Sequence, residues 1–138
     1  MGTSSAEAPG RRLSAPDLAY VLPRAAIAFV FAGFGIWEIA SPHYWTAYVP
    51  APLAHLSWTL RLVQLHGVVL VGTATAVLLR RYARYGALLA VLLLAEICLD
   101  VLVSNGVTSV LLRDVGLLVV AGAIYWLPYD APGTSGSA

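Results

Sequence analysis

Residues 84–103 read RYGALLAVLLLAEICLDVLV, an apolar run that opens on Arg84 and carries two acids, Glu96 and Asp100. A stretch of about 20 predominantly apolar residues is long enough, as a helix, to cross the roughly 30 Å hydrocarbon core of a bilayer. Similar runs occupy Tyr20–Ala40, Leu62–Leu79 and Val110–Leu127. Four such spans use up most of a 138-residue chain whose composition is 59% hydrophobic and 11% charged, with mean hydropathy +0.80. These values lie far from those of soluble domains. The expected fold is therefore an all-α integral membrane four-helix bundle over residues 16–128. It is flanked by flexible tails, 1–15 and 129–138, that are too rich in Gly, Ser, Ala and Pro to pack. The first span is too long and too aromatic for a cleaved signal.

Every basic residue of the chain other than histidine is an arginine. Arg11, Arg12 and Arg24 precede or begin the first span and Arg80, Arg81 and Arg84 surround the second turn, whereas only Arg61 and Arg113 flank the other side. Basic residues in short flanking segments favour the cytoplasm, so both termini are expected there, in a multi-pass protein of the cell membrane, that of a prokaryote by expectation. Trp37, Tyr44, Trp45, Tyr48 and Trp58 fall on the outer side of this arrangement. Short connections make neighbouring spans antiparallel, and Gly33, Gly35, Gly67, Gly72, Gly116 and Gly122 offer places for close helix approach. Pro23 is expected to mark the first turn of the first crossing, after an interfacial segment begun near Asp17. The loop from Ser41 to Arg61 contains Pro42, Pro50 and Pro52, so it cannot form another regular span. Its aromatic content fits equally an interfacial anchor or a lid over the bundle.

The ionisable and polar residues within the spans gather toward the outer half: Glu38, Gln64, His66, Glu96, Asp100, Arg113 and Asp114. Glu96 and Asp100 are four apart and share a helix face, and an acid as deep as Glu96 is expected to face inward. Charges at such depth cost at least about 2.5 kcal/mol each and mark functional sites by default. Arg113 and His66 are the expected partners of the two acids. A purely structural network tying four helices together is the competing reading. A carboxylate and an imidazole near the interface are also suited to holding a quinone head group and exchanging its protons. On that reading Glu96, Asp100 and His66 handle protons, while Glu38, Gln64, Arg113 and Trp45 contact the ligand.

Cys98 is the only cysteine, which removes paired-thiol relays and iron–sulfur ligation, and His66 is the only histidine well inside a span, which leaves transmembrane bis-His haem without a second ligand. No metal site is expected, and no basic tract points to nucleic acid.

Arg24, the run Phe31-Ala32-Gly33-Phe34-Gly35-Ile36-Trp37-Glu38, then Pro42, Trp45 and Tyr48-Val49-Pro50, followed by a Gly-containing second span and an Arg-flanked turn, resemble the DoxX-like family of small four-helix membrane proteins. The resemblance covers about Val21 to Leu127. It implies a small subunit of a quinone-linked membrane redox system, acting with a redox partner. Many relatives place a Glu before the second-span glycine, where this chain reads Gln64-Leu65-His66-Gly67. A His there keeps proton exchange and changes the charge. Two other classes stay open: a proton-coupled small-molecule carrier acting as a homo-oligomer, and a non-catalytic membrane anchor or assembly subunit.

Overall fold

The computed structural model describes residues 15–126, and the two tails expected to be flexible lie outside the described residues except for Ala15. Four long helices carry the chain back and forth: α1 (Ala15–Ala40), α4 (Thr59–Leu78), α5 (Ala83–Asn105) and α6 (Ser109–Trp126). All four are long and apolar enough to cross a membrane. Among the described residues no strand occurs. Between α1 and α4 the proline-rich loop forms three short pieces, α2 (Pro42–Trp45), a 3-10 turn (Thr46–Tyr48) and α3 (Ala51–Ala54). Pro42 and Pro52 sit in the first turns of α2 and α3, where a missing N–H is harmless. The loop is tied down by Thr59, whose Oγ1 donates to the carbonyls of Leu53 and Leu56, each at 2.7 Å.

Helix ends follow local chemistry. α5 stops at Gly106, whose φ of +70° is a conformation that side-chain-bearing residues rarely adopt. α6 starts after Thr108, whose Oγ1 accepts from the Leu111 amide at 3.2 Å and so satisfies one of the free N–H groups of the first turn. The interfacial segment and the crossing expected on either side of Pro23 are one helix: α1 begins at Ala15, about two turns before the proline, and runs through it. The ring removes one helical donor, while the Arg24 guanidinium adds one, donating through Nη1 to the Tyr20 carbonyl at 3.1 Å. Arg24 is itself buried and lies 3.5 Å over the Tyr20 ring.

The helices pack in a ring in which α1 lies against α4, α4 against α5, and α5 against α6, with the α1–α6 seam the lightest. Ile27 and Phe31 of α1, Leu70 and Val77 of α4, and Ala121 and Ile124 of α6 meet in the central core. The outward side chains are also large and apolar, with Phe29 81% and Val103 78% exposed, as a bilayer-facing surface requires. Two backbone contacts set the geometry. A methyl group on Gly35 would stand 2.6 Å from the Gly67 carbonyl oxygen, and one on Gly67 would stand 2.6 Å from that of Gly35. A methyl on Gly86 would stand 2.6 Å from the Val77 nitrogen, which pins α5 to α4 beside their connecting turn. Gly33, Gly72, Gly116 and Gly122 have open space at the same position, so only two of the six glycines expected at close approaches serve there.

Candidate functional site

The Gly35–Gly67 crossing builds the site. Glu38 lies nearly one turn beyond Gly35, and His66 precedes Gly67, so backbone contact between α1 and α4 brings their side chains together. His66 Nδ1 stands 2.8 Å from Glu38 Oε2, with Glu38 buried and His66 about one-third exposed. With Glu38 ionised, Nδ1 carries the proton and donates it to the carboxylate. Nε2 is then the working nitrogen of the ring, a lone pair when the imidazole is neutral and an N–H when it is charged. This atom is buried and hydrogen-bonded to nothing among the described residues. An unsatisfied buried polar atom costs about 1–3 kcal/mol, which makes it a place where a ligand group gains most.

A cavity of about 550 Å³ lies beside this pair, within the size range of small-molecule sites. Its body is apolar, formed by residues such as Phe31, Leu70, Leu94 and Leu117. Its loop end is aromatic. Trp45 meets Phe34, Trp37, Tyr44 and Tyr48 with ring centroids 5.3–5.7 Å apart, and Trp37 stacks on Tyr44 at 5.0 Å. Trp45, Tyr48, Pro50 and Leu53 form part of the cavity wall, so the proline-rich loop covers the bundle rather than only anchoring it. On the same cavity wall Trp45 Nε1 is likewise buried and without a hydrogen-bond partner among the described residues.

Six of the residues singled out in the sequence, Glu38, Trp45, His66, Glu96, Asp100 and Arg113, line this one cavity. Gln64 does not. It is exposed and donates to the Ile39 carbonyl at 3.3 Å, satisfying one of the last acceptors of α1. The pairing differs from expectation. His66 joins Glu38 instead of the α5 acids, and Arg113 Nε donates to Asp114 Oδ1 at 2.8 Å. Asp114 is 4% exposed, whereas the Arg113 side chain is half exposed and lies 5.4 Å from the Phe34 ring centroid. Glu96 and Asp100 have no hydrogen bond or ion pair among the described residues, and Glu96 is exposed where an inward-facing acid was expected. The reason is rotational. Ala90, Leu94, Cys98 and Val101 form the buried stripe of α5, and Glu96 points well away from it at 3.6 residues per turn.

Asp114, grouped by the sequence with the outer polar residues but given no partner, and the rings packed around Trp45 are site components whose contacts the sequence did not reveal. Their signal was weak: Asp114 follows an arginine at a helix start, and interfacial aromatics are common in membrane proteins.

No family model matches the chain, and neither a curated protein nor a solved structure matches it.

Proposed function

We propose that the protein is a multi-pass cell-membrane protein that binds a quinone-like amphiphile in the cavity beneath its aromatic loop and serves as the small, quinone-handling subunit of a membrane redox system. The observation that carries this reading is the His66–Glu38 pair, which leaves one unpartnered imidazole nitrogen on the wall of a largely apolar cavity. A ring with oxygen substituents and an apolar tail suits that lining. Trp45 Nε1 offers a hydrogen bond to an acceptor oxygen, and His66 Nε2 exchanges a proton with a hydroxyl or carbonyl.

A quinone supplies two-electron chemistry, taking up two electrons and two protons on reduction to the quinol. On this proposal His66 delivers one proton through Nε2 while Glu38 steadies the charged imidazole through Nδ1 and fixes its orientation, and Asp100 on the cavity wall delivers the second. The apolar walls exclude water, and Asp114 holds Arg113 at the loop end, where its guanidinium can face an anionic or carbonyl group. Electrons pass to or from a partner subunit or a second bound substrate. The same reading places both termini in the cytoplasm, because Arg80, Arg81 and Arg84 cluster at the end of the bundle remote from the loop.

Native mass spectrometry of the protein extracted from its own membranes tests the assignment. A quinone-mass adduct that is lost in His66→Ala, or a co-extracted redox subunit, supports it. A bare chain with neither overturns it.

A carrier is the second reading, favoured by one observation: Glu96 is an unpaired acid about 13 Å from the loop end of α5, deep enough to couple protons to transport. Proton-dependent uptake into liposomes distinguishes the two.

A further inference from the structure

Glu96 has two properties that rarely coincide. It forms part of the cavity wall, and it is exposed on the side of α5 that turns away from the core. Such a residue stands at a mouth. Glu96 precedes the last residue of α5, Asn105, by nine positions, or about 13 Å of helix. That depth lies within the hydrocarbon half-thickness of about 15 Å. The water-facing end, in contrast, is covered by Trp45, Tyr48, Pro50 and Leu53.

The helix contacts show between which elements this mouth lies. Near their connecting turn α4 and α5 are in backbone contact at Gly86 and Val77. Toward the loop end Leu62 and His66 of α4 face the cavity together with Glu96 and Asp100 of α5. The α1–α6 seam is crossed at that level by Arg113, whose guanidinium lies against the Phe34 ring. Neither Glu96 nor Asp100 has a hydrogen bond or ion pair among the described residues, so no such bond from them ties α5 to α4 at that level. An unpaired carboxylate facing lipid is costly, and a polar head group passing it would relieve that cost.

We infer that the cavity opens sideways into the bilayer through a portal between α4 and α5, with Glu96 at its threshold and Asp100 just inside. The ligand is then a membrane-dissolved amphiphile, an oxygen-bearing ring on an apolar tail, that enters without crossing water. Its head passes Glu96 and Asp100 to reach His66, and its tail remains in the portal. This inference rests on the cavity being a ligand site, as proposed above, and adds the route and the tail.

Site-directed spin labelling in phosphatidylcholine proteoliposomes tests it. The label is placed at Glu96→Cys in a Cys98→Ala background, with Leu99→Cys as a lipid-facing control; Cys98→Ser is the alternative background if the alanine fails to fold. Decylubiquinone is the probe, and its binding is followed in the same samples by quenching of tryptophan fluorescence. The portal predicts that the label at 96 collides with oxygen and not with a water-soluble nickel chelate, and that it loses mobility when decylubiquinone is added, while the label at 99 does not change. Strong collision with the nickel chelate makes the mouth aqueous and overturns the portal. Saturable quenching with no loss of mobility at 96 overturns the portal and leaves the ligand site standing. No quenching overturns the ligand site, and the proposed route for this ligand falls with it.

Discussion

His66 Nδ1 stands 2.8 Å from Glu38 Oε2 at a point where two helix backbones touch through Gly35 and Gly67. The hydrogen bond and the backbone contact are one structural unit, because the side chains can meet only if the helices approach this closely. Glu38→Gln, His66→Ala and the double variant therefore form an informative cycle. A coupling energy of about 0.5–3 kcal/mol is expected from unfolding in mild detergent, as for residues in direct contact. Additive effects would show that the pair contributes nothing as a pair.

Gly35→Ala and Gly67→Ala each place a methyl group against a carbonyl oxygen of the facing helix. The backbones must separate, and a loss of about 1–3 kcal/mol is expected, as for overpacked cores. Gly72→Ala, with open space at its Cβ, is expected to change stability by no more than about 0.5 kcal/mol. Thermal unfolding of the three variants side by side reads the difference directly. Equal losses at Gly67 and Gly72 would place the helix crossing elsewhere.

Asp114 and Glu96 are both acids in helices long and apolar enough to cross a membrane, yet they should respond oppositely. Asp114→Ala removes a buried partner of Arg113 and is expected to destabilise by about 1–3 kcal/mol. Glu96→Gln removes a charge that has no hydrogen bond or ion pair among the described residues, and stability is expected to hold within about 0.5 kcal/mol or to rise. Chemical denaturation in the same detergent compares them.

Trp45→Phe keeps an aromatic ring in the loop cluster and deletes the buried Nε1 donor. If that donor holds a ligand oxygen, decylubiquinone should bind about tenfold more weakly, the equivalent of one hydrogen bond. The fold should be unaffected, because the donor has no partner among the described residues. Titration by equilibrium dialysis, with circular dichroism for folding, checks both halves.

The arginine distribution predicts which side of the membrane the loop occupies. In a Cys98→Ala background, Ser57→Cys should react with an impermeant maleimide on intact cells, and Arg81→Cys only after the membrane is opened. The reverse pattern would invert the topology.

The sequence by itself determined the class of this protein. Runs such as Arg84–Val103 are too long and too apolar for a soluble chain of this size, and in lipid the backbone must satisfy itself within each span, so four helices were legible from hydropathy alone. The span boundaries fell within a few residues of the four candidate crossings, Leu18–Ala40 of α1 included, although α1 itself starts earlier, at Ala15. The candidate site was legible as a set of polar residues at one end, since Glu38, His66, Asp100 and Arg113 share a level once the helices alternate in direction. Which of them pair was decided only by tertiary structure. Pairing depends on the rotation of each helix about its axis and on how closely two backbones approach, and hydropathy carries neither. The Gly35–Gly67 contact delivered His66 to Glu38, and the rotation of α5 left Glu96 on the outward side, although sequence spacing treated Glu96 and Asp100 as the natural partners of His66 and Arg113.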